Sequence, residues 1–210
     1  MTTTRHLQQL EDLAASLRPR FTPEKPLPRL LFVTDPQRTP DPEAIAARLP
    51  AGSGVIFRAF GADDALARAR RLRAIATERG LVLLIGADEL LADACAADGL
   101  HIPQGLTDKA RRLQEDRPDW ILTAAAHSLQ AAEAAADAGC HAVLASVVFA
   151  SNSPSAWLPM GAQAFAAFVA AAPLPVYALG GVNIRTAPDL AESGAQGFAM
   201  VEGMAEAVRT

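Results

Sequence analysis

The sequence predicts an α/β fold, a single-domain (β/α)8 TIM barrel with an extra N-terminal helix, and three observations carry that expectation. Short apolar runs rich in β-branched residues alternate with helical stretches, as buried parallel strands and their crossover helices do. Eight such units fit between residues 29 and 208, and eight favour a closed barrel where five or six would favour an open sheet. The tail ends two neighbouring strands in glycine, at Gly180-Gly181 and at Gly203, and each end opens a helix. Such paired strand ends are where a barrel of this kind holds a phosphate, because glycine leaves backbone N–H groups open to close approach.

In chain order, residues 4–17 read as an amphipathic helix with Leu7, Leu10, Leu13, Ala14 and Leu17 on one face. Four prolines between 19 and 28 make a stiff connector, so the expected division is 1–28, helix and connector, then 29–210, barrel. The helix suits a position across the barrel bottom or a contact between copies of the chain, which puts a homo-oligomer among the expectations. The expected strands are 29–34, 54–58, 81–85, 99–102, 120–125, 142–149, 176–179 and 198–200. The expected helices are 42–49, 63–79, 88–97, 107–115, 129–138, 162–171, 186–193 and 202–208. Similar small-residue stretches at 94–100, 136–143 and 191–198 close helices and enter even-numbered strands, a weak internal repeat assigned to the barrel bottom.

At 210 residues the chain suits one domain with a sizeable core, and its net charge of −4 argues against nucleic acid or an anionic membrane as partner. No run approaches the ~18 apolar residues of a membrane span, and the N-terminus lacks the apolar core of a secretory signal. Cys95 and Cys140 form neither a CxxC nor a zinc pattern and read as small buried residues. A reducing cytoplasm fits these features. The arginines from Arg68 to Arg79 lie opposite a face of Leu66, Ala69, Leu72 and Ile75, and read as a solvated helix surface rather than a nucleic-acid patch.

Polar residues just past the strand ends face the active site of a barrel, and they form the candidate list. Arg58 ends an apolar strand, where a charge needs either an anionic ligand or an ion pair with Asp35 or Asp63. His101 and Gln104 follow the fourth strand, and His101 reads first as a histidine satisfied within the barrel. His127 follows three alanines, leaving room for a ligand, and its side chain suits proton transfer as well as it suits capping the next helix. Ser151, Asn152 and Ser153, continuing to Pro154 and Ser155, form a polar loop able to grip a phosphate or to serve as a solvated turn. Neither histidine has the carboxylate partners of a metal site.

From about residue 29 to 204 these residues resemble the thiamine phosphate synthase/thiazole tautomerase (TenI) family. The stretch 30–35 (Leu-Leu-Phe-Val-Thr-Asp) is similar to that family's opening strand, and 97–104 (Ala-Asp-Gly-Leu-His-Ile-Pro-Gln) to its Ala-Asp-Gly-Val-His-Leu-Gly-Gln. Ala126-His127-Ser128 matches a Val-His-Ser, Val147-Val148-Phe149 a Pro-Val-Phe, and 175–181 a Pro-Val-Ile-Ala-Ile-Gly-Gly. The resemblance implies a (β/α)8 barrel of thiamine biosynthesis that binds small thiazole or pyrimidine phosphates. Its synthases join a pyrimidine pyrophosphate to a thiazole phosphate with magnesium; its tautomerases aromatise the thiazole phosphate by proton transfer without metal. By the same resemblance Gly180, Gly181 and Gly203 hold the thiazole phosphate, Arg58 meets the pyrophosphate, and His127 takes the place of the tautomerase histidine.

The departures shape the functional expectation. Gly86-Ala87 stand where the synthase has Asn-Asp, and Gly105-Leu106 where it has an acid, so the oxygen ligands magnesium requires are missing. Pro154 stands for the loop lysine, and Glu202 for a phosphate-binding serine. No metal or other cofactor is therefore expected. Metal-free proton transfer by His127 suits the residues better than the synthase step. A relative that kept the barrel for ligand binding or regulation is the alternative, and Glu202 favours it.

Overall fold

The computed structural model describes residues 5–153 and 158–209. Eight parallel strands close into a barrel in chain order: β1 (Leu30–Val33), β2 (Gly54–Phe57), β3 (Val82–Gly86), β4 (Gly99–Ile102), β5 (Ile121–Ala126), β6 (Ala142–Ala145), β7 (Val176–Ala178) and β8 (Gly197–Met200). β8 pairs back onto β1, with Leu31 beside Ala199, so no sheet edge remains open. Helix α1 (Arg5–Ser16) precedes the barrel. Helices α2 (Pro42–Ala46), α3 (Ala65–Arg79), α4 (Glu89–Ala94), α5 (Asp108–Asp116), α6 (Leu129–Asp137), α7 (Gly161–Ala171) and α8 (Glu202–Arg209) form the outer ring. None of the described helices is long and apolar enough to cross a membrane.

Each strand divides its side chains between two shells, because successive residues point to opposite faces. Leu31, Val33, Ile56, Leu84, Leu144, Tyr177 and Ala199 fill the barrel interior. Phe32, Val55, Phe57, Leu83, Ile85, Leu122, Val143 and Phe198 pack outward under the helices. Cys95 and Cys140 are buried free thiols, as their setting in the sequence implies.

Several elements are shorter than expected. The sixth strand stops at Ala145 rather than residue 149. Beyond it the chain leaves the ladder with β5 and runs past the end of β7, where the N–H groups of Val148 and Phe149 donate to the Leu179 and Gly180 carbonyls. The helix expected over 186–193 is a single 3-10 turn, Ala187–Leu190, with Pro188 at its start and Gly194 (φ +76°) soon after its end. The expected α2 is also shortened, to five residues.

The N-terminal helix does not take the first place expected for it, the barrel bottom. Helix α1 packs Leu7, Leu10 and Ala14 on the outer ring, against α8 and the 3-10 turn, and the connector rather than the helix crosses the barrel bottom. Leu27 plugs the interior there. Lys25 donates to the Pro118 and Trp120 carbonyls, and the buried Tyr177 hydroxyl donates to the Pro28 carbonyl at 2.6 Å. Thr4, the expected start of α1, lies outside the described residues. The α3 arginines face outward as expected, Arg70 and Arg71 exposed, and two of them also tie neighbouring elements: Arg71 pairs with Glu43 at 2.9 Å and Arg73 with Asp98 at 2.8 Å.

Candidate active site

At the C-terminal ends of the strands the interior stops being apolar. A cavity of about 400 Å³ opens there, lined on its floor by Val33, His101, Ala125 and Leu179. Arg58, His127, Ser151, Asn152, Ser153, Gly180, Gly181, Glu202 and Gly203 surround it, so the structure gathers every candidate residue except Gln104 around one space. Gln104 instead accepts a hydrogen bond from the His127 backbone N–H at 2.8 Å. Pro154 and Ser155 lie outside the described residues.

His127 sits at the top of β5, and its imidazole is held from β6. Nδ1 lies 2.9 Å from the Ser146 carbonyl and 3.1 Å from the Ser146 hydroxyl. A carbonyl only accepts, so the proton belongs on Nδ1 and the lone pair on Nε2. Helix α6 is capped by Ser128, whose hydroxyl accepts from the Ala131 N–H at 3.2 Å, and that removes capping as the function of His127. His101 is satisfied as expected, with Nδ1 3.0 Å from the Thr123 hydroxyl. Burial deep in the barrel, helped by the charge of Arg58, pushes its pKa down to about 4, so His101 is neutral at pH 7.

The charges on the other side of the mouth form one chain. Arg58 donates from Nε to the Thr34 carbonyl at 2.6 Å and pairs with Asp35 at 3.2 Å. Burial pushes its pKa down, and Asp35 acts against that. Asp35 also pairs with Arg38 at 2.9 Å and accepts backbone N–H bonds from Gln37 and Arg38. Burial alone would raise the Asp35 pKa, but the bonds and charge from Arg38 outweigh it and hold it at about 2. Arg38 in turn reaches Glu202, with 3.8 Å between their closest atoms.

The glycines serve packing as much as ligand approach. A Cβ on Gly181 (φ +66°) would lie 2.3 Å from the Ala150 carbonyl oxygen, and one on Gly203 would lie 2.3 Å from that of Val182. Their missing side chains let the loops after β6, β7 and β8 close on one another, which builds the wall of the cavity.

Arg38, Ser146 and Arg185 also line the cavity and were not among the sequence candidates. Ser146 was hidden inside the overlong sixth strand. Arg38 stands three residues beyond Asp35, a loop spacing that carries no periodic signal, although an arginine beside an acidic strand end is a usable clue. Arg185 follows the Gly180-Gly181 turn closely enough to have been included.

At the end of β3, where the synthases of the resemblance carry acids, the described residues offer magnesium no uncommitted carboxylate. Gly86 and Ala87 offer no side-chain oxygen, and a Cβ on Gly86 would lie 3.1 Å from Arg58 Cγ, so a cationic side chain lies over that position. Asp88 is spent on capping α4, where it accepts from the Leu91 N–H at 2.9 Å, and Glu89 pairs with Arg112 at 2.6 Å. The nearest carboxylates are thus committed to other partners.

The family model for thiamine monophosphate synthase matches residues 30–204. The chain belongs to that family. It is 30% identical over 183 residues to the thiamine-phosphate synthase of Thiobacillus denitrificans, covering 81% of this chain and 85% of the relative. It is 32% identical over 149 residues to that of Geobacillus kaustophilus, covering 70% of this chain and 66% of the relative, just under two thirds of its length. Among solved structures, the thiamine phosphate pyrophosphorylase from Pyrococcus furiosus superposes with a TM-score of 0.71 at 21% identity, covering 86% of this chain and 95% of that one. That likeness bears on the fold alone. Family membership supports a part in thiamine biosynthesis.

Proposed function

We propose that this member of the thiamine monophosphate synthase family binds a thiazole phosphate in the cavity and moves a proton on its ring without metal. The observation that carries the reading is the imidazole of His127, presented at the cavity with Nδ1 against two oxygens of Ser146. With Nδ1 protonated, Nε2 takes a proton from one carbon of a non-aromatic thiazole tautomer and a proton is returned at another carbon. The bonds rearrange to the aromatic ring and no net proton is gained or lost. Gly180, Gly181 and Gly203, with Arg185 beside them, are assigned to the phosphate, and Ser151, Asn152 and Ser153 to the far rim of the ligand. The synthase step is not assigned, because Gly86 and Ala87 replace its acids, a cationic side chain lies over Gly86, and Asp88 and Glu89 are held by other partners.

The test is to supply the non-aromatic thiazole phosphate tautomer and follow aromatisation by ultraviolet absorbance. His127→Asn should lower the rate by ~10²–10⁴-fold while leaving binding within a few-fold. Wild-type protein that leaves the tautomer unchanged would retire the proton-transfer reading. The alternative, a barrel kept for ligand binding or regulation, is favoured by the carboxylate of Glu202 in the cavity wall. Under it, calorimetry shows thiazole phosphate bound and not converted, and His127→Asn is silent.

A further inference from the structure

The sequence places a carboxylate, Glu202, at the first turn of α8, where a bound phosphate would approach the helix N-terminus. A free carboxylate there would both repel a phosphate dianion and compete with it for the same N–H groups. The structure contains a device that answers this. Arg58, Asp35, Arg38 and Glu202 form an alternating chain of cations and anions from the end of β2, past β1, to the start of α8. Arg38 is the link that reaches Glu202, and it is held from behind: its side chain and its backbone N–H both bond to Asp35. It is also the better buried of the two, its side chain 15% exposed against 39% for Glu202. The low pKa of Asp35, about 2, keeps that anchor charged across the working range.

We propose that Arg38 is the specificity-determining residue of this cavity, because it draws the Glu202 carboxylate toward the loop after β1 and leaves the space beside Gly181 and Gly203 open to a phosphate ester. The inference rests on the phosphate-binding part of the reading above. Arg38 touches no reacting atom; it acts through Glu202. Its effect is to neutralise and tether the wall carboxylate at the start of α8, which would otherwise favour a neutral or cationic ligand over a phosphate.

The experiment is a double-mutant cycle read by calorimetric binding of inorganic phosphate to wild type, Arg38→Gln, Glu202→Gln and the double variant. Arg38→Gln should weaken phosphate binding at least about tenfold, and adding Glu202→Gln should recover most of that loss. Glu202→Gln alone should change affinity by less than about threefold, because its charge is already offset. Arg38→Lys keeps a cation but not the fork that spans Asp35 and Glu202, and should fall between wild type and Arg38→Gln. Equal weakening in Arg38→Gln and the double variant would overturn the inference, since Arg38 would then bind phosphate itself. So would an equal gain from Glu202→Gln in both backgrounds, or no phosphate binding by the wild type. Titrating thiazole phosphate into the same four proteins separates the two readings. Coupling seen with inorganic phosphate, but no thiazole phosphate binding, retires the thiazole reading and leaves Arg38 standing.

Discussion

His101 and His127 end neighbouring strands and have opposite surroundings, which is why one residue type serves two purposes. His101 sits deep in the interior and is bonded to Thr123, so protonation would place a cation next to Arg58 with no compensating carboxylate on it. Its pKa falls from an ordinary 6.5 to about 4, so the unfolded chain binds the proton more readily than the folded one. Stability is therefore unaffected above pH 6.5 and is lost as pH falls from there toward 4. The ceiling on that loss is about 3–4 kcal/mol, taking ~1.4 kcal/mol per pH unit. Urea denaturation at pH 7 and at pH 4.5 should show this loss in wild type and much less of it in His101→Gln. An equal loss in both would assign the acid sensitivity elsewhere. Asp35 contributes in a lower window, between 3.8 and about 2, as its protonation releases Arg38 and Arg58.

Among the elements, α1 and the connector decide how the barrel is finished. The apolar face of α1 was legible in the heptad-like spacing of Leu7, Leu10, Ala14 and Leu17, and all four are buried. Their target was not legible, since nothing in a helix's own pattern names the surface it covers. That surface includes α8, the helix that begins with Glu202. Leu10→Ala should cost about 2–4 kcal/mol in chemical denaturation, as large-to-small changes in a packed core do. A loss below ~1 kcal/mol would mean that α1 is only loosely seated. Truncating the chain before the connector should expose the same face of α8 and promote association. The sixth strand teaches the complementary lesson. Ser146, Val147 and Val148 have the composition of strand residues, yet β6 ends before them because the loop is needed to pack against Gly180 and Gly181.

For the whole molecule, the distribution of carboxylates sets the expected metal dependence. Each acid near the β3 end has a protein partner, so magnesium would have to break a helix cap or an ion pair to be held there. Calorimetric titration of thiazole phosphate with magnesium and with a chelator should therefore give affinities within about twofold of each other. A hundredfold gain with magnesium would show that Asp88 or Glu89 is recruited to the metal, and would return the synthase step to consideration.

Strand order, the closed barrel, the family and the polar and glycine residues at the cavity mouth followed from the sequence alone, through local periodicity and where glycine and polar residues fall at strand ends. The cavity residues could be found without coordinates since a barrel brings every strand's C-terminal end to one mouth. Partnerships needed the tertiary structure. The Arg58–Asp35 pair was one of the readings open in the sequence, but that Arg38 spans from Asp35 to Glu202 and that Ser146 orients His127 depend on distances between loops of different strands. Such distances are set by how the loops close over the barrel, and no spacing along the chain encodes them.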